Sequence, residues 1–203
     1  MEKNIYKNLY SEQRNLGNLA DSLRMEKMLA IVDRLNPENK NILDVGCYDG
    51  TFLSLIKNRN NNFHGIEASD WGIEKSRQKG IEANQFFFND KTSLPYEDNF
   101  FDIVIAGEII EHIFDTDLFL AEIRRVLRPG GKLLISTPNI ASLGRRLLLF
   151  SGGNPIIELS PNEPDSSGHI RYFTFKTLKK ILEKHGFKIL SSQSDSVNFS
   201  SDG

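Results

Sequence analysis

One segment of the chain is especially informative, and it reads Ile42-Leu43-Asp44-Val45-Gly46-Cys47-Tyr48-Asp49-Gly50. Its short apolar run ends at a glycine, which predicts a buried strand that enters a tight turn. Glycine removes the Cβ atom where a backbone must turn sharply and lie against a ligand. The acid at the end of this strand, Asp44, would repel a pyrophosphate and attract an ammonium group. The segment therefore indicates a strand followed by a ligand-binding loop.

On either side of this segment, short apolar strands alternate with helical patterns. Strands are predicted at residues 41–45, 63–67, 85–88, 101–105, 132–136 and 187–190. Helices are predicted at residues 51–58, 70–79, 116–127 and 174–185, and the last is expected to begin after Thr174 and end at Gly186. The strands are apolar throughout, so both faces of their sheet should be covered by helices. This order predicts an α/β fold with a doubly wound, mostly parallel sheet.

Three regions stand apart from the alternating pattern. Residues 1–38 are predicted as an N-terminal helical extension, whose Tyr6, Tyr10 and Arg14 either form a lid over the ligand or belong to a helix packed on the edge of the fold. Residues 39–203 form the ligand-binding domain, and its loop-rich insertion at about 138–168 is predicted to cover the ligand. After the sixth strand only a serine-rich tail remains, so the last strands of the sheet are expected to be incomplete.

The composition narrows the functional classes. The 203 residues carry a net charge of −2, which provides no basic field for nucleic acid. A single cysteine excludes an internal disulfide framework and favours a cytoplasmic location. No apolar run is long enough to span a bilayer. The spacing of histidines and cysteines resembles no zinc site, so no metal is predicted. We expect a monomer or homodimer without a nucleic-acid partner.

A second acid at a strand end indicates the kind of ligand. Glu67 ends the second strand about 20 residues after the first loop, the position from which an acidic side chain binds a ribose diol. Together, Glu67 and Asp44 indicate a nucleoside with a positively charged tail that lacks phosphate. S-adenosylmethionine has this structure.

Several motifs follow in an order that resembles one known family. They are the loop Asp44-x-Gly46-x-Tyr48-x-Gly50, the approach to the fourth strand at Leu94-Pro95-Tyr96-Glu97-Asp98-Asn99-Phe100-Phe101-Asp102, the segment Glu108-Ile109-Ile110-Glu111-His112-Ile113, and the turn Leu127-Arg128-Pro129-Gly130-Gly131. Over residues 39–190 the sequence resembles the class I S-adenosylmethionine-dependent methyltransferases, which have a Rossmann-like fold. It departs from their pattern at Tyr48, where the family has a glycine.

The resemblance implies a set of cofactor-binding residues. The first loop would hold the methionine part of the cofactor, Glu67 both ribose hydroxyls, and Asp90 the adenine amino group. The full predicted set comprises Asp44, Gly46, Cys47, Tyr48, Asp49, Gly50, Glu67, Ala68, Asn89, Asp90, Gly107 and Glu108. The product would be S-adenosylhomocysteine. The family also implies a seventh strand, for which only the short run at 197–199 is available.

Glu111 and His112 are the best candidates for proton transfer, because histidine titrates near neutral pH. His169 is a further candidate, in a segment that resembles one preceding the last helix of small-molecule methyltransferases. Against this, His112 could simply pack beside the cofactor. We expect the acceptor to be a small molecule, methylated on an oxygen. Two alternatives stay open: a non-catalytic module that binds S-adenosylmethionine, and a nicotinamide-dependent oxidoreductase, which the missing Gly-x-Gly-x-x-Gly motif disfavours.

Overall fold

A parallel sheet forms the centre of the protein in a computed structural model that describes residues 23–57, 60–88, 93–156 and 168–194. Its five strands are β1 (Asn41–Val45), β2 (Asn62–Glu67), β3 (Glu82–Gln85), β4 (Phe101–Gly107) and β5 (Leu127–Ser136). All pairings are parallel, in the order β3-β2-β1-β4-β5. The chain adds β2 and β3 on one side of β1 and then returns to add β4 and β5 on the other side. This order confirms the doubly wound α/β prediction.

Helices cover both faces of this sheet. They are α1 (Leu23–Leu35), α2 (Thr51–Leu55), α3 (Asp70–Gln78), α4 (Thr116–Val126), α5 (Leu143–Phe150) and α6 (Phe175–Lys184). Neighbouring residues of β1 point to opposite faces, so Ile42 packs in one apolar cluster with α1 and α2 while Leu43 packs in another with α4 and α6. None of the helices in the described ranges has the length and apolar character needed to cross a bilayer.

The third strand lies earlier in the chain than predicted. The structure has it at Glu82–Gln85 instead of residues 85–88. Phe86 and Phe88 contact each other ring to ring at 4.9 Å, and Phe88 contacts Phe119 of α4 at the same distance. Phe86 and Phe88 are partly buried against the core, and periodicity alone cannot separate such packing from pairing in a strand.

The predicted sixth strand is also wrong. Residues 187–190 form no strand with any described part of the chain, although Phe187 and Ile189 pack against the core. The apolar pattern of this segment reflects packing on the core and not pairing in the sheet. Residues 197–199 lie outside the described residues. Within the described part of the chain the sheet therefore ends at β5.

The fifth strand and the insertion after it differ in detail from the prediction. β5 begins at Leu127, which pairs with Phe101, and the ladder resumes at Lys132, so the predicted turn at 128–131 is a bulge within the strand. The insertion at 138–168 was expected to be loop-rich, but it contains α5, whose Leu and Arg residues favour a helix. Residues 157–167 of the insertion are outside the described ranges.

The predicted limits of the last helix are confirmed. The Thr174 hydroxyl accepts a hydrogen bond from the Thr177 N–H at the start of α6, and Gly186 adopts a φ of 78° at its end. At the other end of the chain, α1 buries Met25, Met28 and Val32 in the core. The suggested lid residues Tyr6, Tyr10 and Arg14 are outside the described ranges.

Candidate functional site

The loop after β1 is attached to the neighbouring strand by its backbone. The N–H groups of Gly46 and Cys47 both donate to the carbonyl oxygen of Ile66, at 2.8 and 3.1 Å. Gly46 and Gly50 have φ values of 75° and 74°, and Tyr48 lies in the same left-handed region at 49°. That conformation costs a residue with a Cβ roughly 1–2 kcal/mol. The loop therefore keeps the shape of a glycine turn even where Tyr48 replaces the glycine.

Glu67 connects this loop to the end of β2. Its carboxylate accepts one hydrogen bond from the N–H of Tyr48 at 3.0 Å and another from the N–H of Ser69 at 2.9 Å. The side chain is buried, yet each carboxylate oxygen has a second lone pair. Glu67 is thus held in one orientation and keeps the capacity to accept two further hydrogen bonds.

Asp44 lies in the same buried environment at the end of β1. Burial, assisted by the negative charge of Glu67, raises the pKa of Asp44 to about 7. Two carboxylates that repel each other in a buried site favour a positively charged ligand, because a cation relieves both the desolvation and the repulsion. The electrostatics therefore suit the ammonium group inferred from the sequence.

Three other residues of the predicted cofactor set have structural contacts. Asp49 accepts hydrogen bonds from Lys79 at 2.7 Å and from the Thr51 hydroxyl at 2.8 Å, and although burial opposes it, these bonds lower the pKa of Asp49. Cys47 is buried, and its burial raises the pKa of the thiol, so it is a neutral packing residue. The carbonyl of Ala68 accepts a hydrogen bond from Gln85.

The end of β4 holds two further predicted residues. Glu108 follows Gly107 with a φ of 53° and forms an ion pair with Arg24 of α1 at 2.9 Å. Its other carboxylate oxygen accepts a hydrogen bond from the Ser136 hydroxyl at 3.0 Å. Asn89 and Asp90, the predicted adenine contacts, lie outside the described residues.

The three candidates for proton transfer meet in one cluster. Glu111 and His112 belong to the 3₁₀ turn Ile110–His112 after β4, and His169 comes from the segment before α6. The His169 Nε2 lies 3.8 Å from the Glu111 Oε1, and the rings of His112 and His169 are 4.9 Å apart. Two backbone hydrogen bonds from Ile170 and Arg171 to the Glu111 carbonyl hold the segments together. We call these three side chains the Glu–His cluster.

Burial strongly perturbs the acid of the Glu–His cluster. Glu111 is only 1% exposed, and burial, followed by the charge of Glu108, raises its pKa to about 8. Its Oε2 accepts a hydrogen bond from the Thr137 hydroxyl at 2.9 Å. A carboxyl group with a raised pKa beside two histidines can store or pass a proton near neutral pH.

Some residues that build the site are absent from the sequence prediction. Thr137 directly follows β5, so the rule that ligands bind at the carboxyl ends of strands could have identified it. No local sequence pattern could have identified Arg24, because its partner Glu108 is far away in the chain. Gly65 makes room for the first loop: a Cβ there would lie 2.6 Å from the Cys47 Sγ.

Comparisons with known proteins agree with this geometry. A family model described as a methyltransferase domain matches residues 19–192. The chain is 32% identical to norajmaline N-methyltransferase of Rauvolfia serpentina, over 83% of this chain and 53% of that protein. It is 31% identical to an O-methyltransferase of Pyrenophora dematioidea, over 83% of this chain and 62% of that protein.

A solved structure is similar as well. An S-adenosylmethionine-dependent methyltransferase from Thermotoga maritima superposes with a TM-score of 0.60 at 24% identity, and the match covers 81% of this chain and 72% of that one. The chain spans about half the length of the first curated relatives it matches, 52% and 53% in two cases.

Proposed function

Because the chain belongs to the class I S-adenosylmethionine-dependent methyltransferases, we propose that it transfers the methyl group of this cofactor to an oxygen atom of a small metabolite. The observation that carries the proposal is the Glu–His cluster, in which Glu111, His112 and His169 come together after β4. An acceptor hydroxyl keeps its proton at neutral pH, so a group that takes the proton accelerates the reaction.

The cofactor binds along the loop after β1 in this proposal. Asp44 pairs with the ammonium group of the methionine part, and Glu67 accepts hydrogen bonds from the two ribose hydroxyls. The buried, mutually repelling carboxylates support the first role. The fixed orientation of Glu67 supports the second, since its bonds to Tyr48 and Ser69 leave one lone pair on each oxygen.

The reaction is a direct displacement. The acceptor oxygen attacks the methyl carbon, the bond between carbon and sulfur breaks, and S-adenosylhomocysteine leaves as a neutral thioether. The proton of the acceptor passes to a histidine of the Glu–His cluster. His112 suits this role, because its Nδ1 lies 3.1 Å from the Gly168 carbonyl oxygen, and an N–H donated there gives Nε2 the lone pair of a base. Alignment of the two reactants supplies the remaining acceleration.

The class of acceptor rests on two observations. The net charge of −2 provides no field for a nucleic acid. Apolar side chains of α5 remain exposed in the insertion after β5, including Leu147 and Phe150, and they suit an acceptor with an apolar part, such as a phenol. The similarity to an O-methyltransferase agrees with oxygen as the methylated atom.

The test measures cofactor binding and turnover separately. Calorimetry with S-adenosylhomocysteine is expected to give one binding site per chain. A panel of phenols, sugars, amines and nucleic acids, incubated with S-adenosylmethionine, should release S-adenosylhomocysteine only with hydroxyl acceptors. The variant His112→Asn should lower kcat by about 100-fold or more while leaving the affinity for S-adenosylhomocysteine unchanged. His185→Asn, a histidine paired with Asp117 outside the cluster, should change neither quantity.

Other outcomes would reject the proposal in distinct ways. Methylation of amines alone would replace the oxygen acceptor with nitrogen, as in the N-methyltransferase relative. Binding of cofactor with no turnover on any acceptor would favour the non-catalytic module. Tight binding of a nicotinamide cofactor without binding of S-adenosylhomocysteine would overturn the cofactor assignment itself.

A further inference from the structure

The Glu–His cluster has the composition of a metal site. One carboxylate oxygen of Glu111 and one ring nitrogen each of His112 and His169 all lie within 4.8 Å of one another. Two ligand atoms about 2.1 Å from one tetrahedral ion lie about 3.4 Å apart. The widest pair in the cluster therefore has to approach by up to about 1.4 Å to bind an ion, a movement that side-chain rotation can supply.

One carboxylate oxygen in the cluster lacks a hydrogen bond. Glu111 is 1% exposed, and among the residues that the structure describes its buried Oε1 has no hydrogen-bond partner, while His169 Nε2 is 3.8 Å away. A buried oxygen without a partner costs about 1–3 kcal/mol, more when it is charged. A cation bound between Glu111 and the histidines would provide the missing partner.

Residues around the cluster form hydrogen bonds that orient its side chains, as the groups hydrogen-bonded to metal ligands do in known metal sites. The Thr137 hydroxyl donates to Oε2 of Glu111, which directs Oε1 toward His169. The Nδ1 of His112 lies 3.1 Å from the carbonyl oxygen of Gly168, and donation of its proton there fixes the tautomer whose lone pair is on Nε2. Metal-binding histidines commonly donate their second nitrogen to a carbonyl in this way.

From these contacts we propose that Glu111, His112 and His169 bind a divalent first-row transition-metal ion. Two imidazoles and one carboxylate suit zinc, manganese or iron, whereas magnesium and calcium prefer ligand sets made of oxygen. Three protein ligands leave coordination positions open for water or substrate. The spacing of histidines in the sequence could not reveal this site, because His169 follows His112 by 57 positions.

This inference rests on the proposed function in one respect, since it assumes that the acceptor approaches the Glu–His cluster. A metal ion there would occupy the Nε2 lone pair that the proposed function gives to a base, and would instead lower the pKa of an acceptor hydroxyl so that its proton is released to water. Metal binding itself does not depend on the identity of the acceptor. The two proposals can therefore fail separately.

The experiment measures metal binding directly. Untagged protein is titrated with Zn²⁺ against a chromophoric chelator, and Co²⁺ is added to parallel samples to record its visible absorption bands. We expect one ion per chain, with Co²⁺ bands that report nitrogen and oxygen ligands. Glu111→Gln and His169→Asn should each weaken binding by more than about 100-fold, because loss of an outer partner alone costs about 10- to 100-fold. Thr137→Val, which removes such a partner, should fall within that smaller range.

The control is a matched pair of the same residue types. His185 Nε2 lies 2.6 Å from Asp117, and no group of three potential metal ligands among the described residues includes His185, so His185→Asn should leave Zn²⁺ affinity unchanged. If Glu111→Gln fails to fold by circular dichroism, His169→Asn decides the question, since His169 is less buried. Equal Zn²⁺ binding by wild type and His169→Asn would overturn the metal site, even where both bind S-adenosylhomocysteine. Zn²⁺ binding without S-adenosylhomocysteine binding would support the metal site and reject the proposed function instead.

Discussion

The loop after β1 and the Glu–His cluster after β4 lie at the same edge of the sheet, but they are held in different ways. The loop is held by backbone groups: N–H donors of Gly46, Cys47 and Tyr48 bond to β2 and Glu67. The Glu–His cluster is held by side chains and by contacts between distant segments, with His169 meeting Glu111 across 58 positions of the chain.

This difference indicates how each region responds to change. The loop depends on backbone hydrogen bonds and left-handed residues, so a substitution that prevents this backbone conformation should lower the free energy of unfolding. A cluster built from side chains should lose chemistry while the fold survives. Predictions for Gly50, Glu67 and Asp44 test the loop side of this comparison, and the variants of Glu111, His112 and His169 described above test the other side.

The largest expected effect concerns Gly50. A Cβ at this position would lie 2.6 Å from Ile81 Cδ1 and 3.0 Å from the Cα of Ser76, at a φ of 74°. We expect Gly50→Ala to lower the free energy of unfolding by about 3 kcal/mol, from backbone strain and overpacking together. Denaturant unfolding provides the measurement.

Gly130 is the matched control for that variant. Its φ is 79°, but a Cβ there would meet no described atom within 4 Å. Gly130→Ala should therefore cost only the backbone term, about 1 kcal/mol. Equal losses in the two variants would mean that close packing around the first loop adds nothing to its stability.

An intermediate effect is expected for Glu67. Glu67→Gln replaces one of the two oxygens that accept hydrogen bonds from Tyr48 and Ser69 with an NH2 donor, so one of these bonds is lost. We expect a loss of about 2 kcal/mol in the free energy of unfolding together with weaker S-adenosylhomocysteine binding. Glu183→Gln, which affects an exposed pair with Lys179, should change stability by less than about 0.5 kcal/mol. A stable Glu67→Gln variant with full affinity would contradict the assigned role of the carboxylate.

The smallest effect is a pH dependence. Asp44 has a pKa of about 7 in the folded protein, so it is mostly neutral at pH 6 and mostly ionised at pH 8. A ligand that pairs its ammonium group with the ionised form should bind about tenfold more tightly at pH 8 than at pH 6. Calorimetry with S-adenosylhomocysteine measures this change, and Asp44→Asn should bind weakly with no such dependence.

The same raised pKa has a consequence for stability in the absence of ligand. The folded protein retains the Asp44 proton at pH values where the unfolded chain, with a pKa near 3.8, has lost it. The contribution of Asp44 to stability therefore decreases as the pH rises from about 4 to 7. Removal of the carboxylate in Asp44→Asn should abolish this part of the pH profile.

Much of the loop after β1 could be predicted from the sequence. Gly46, Gly50 and Asp44 are close in the chain, and β1, its turn and the acid at the end of β2 are local patterns with direct physical meaning. The strand predictions failed where buried apolar residues gave the same sequence pattern as a paired strand. The aromatic run after β3 and residues 187–190 are apolar because they pack on the core, and period alone cannot distinguish that from a strand.

The sequence by itself determined the doubly wound sheet, the tight glycine turn and the acids at its strand ends, because these show in patterns of neighbouring residues. Only the tertiary structure decided that Glu111, His112 and His169 form one cluster, that Thr137 orients Glu111, and that Arg24 neutralises Glu108. Such contacts join residues far apart in the chain. They exist only after the sheet and its connections bring the segments together, so no local pattern can encode them.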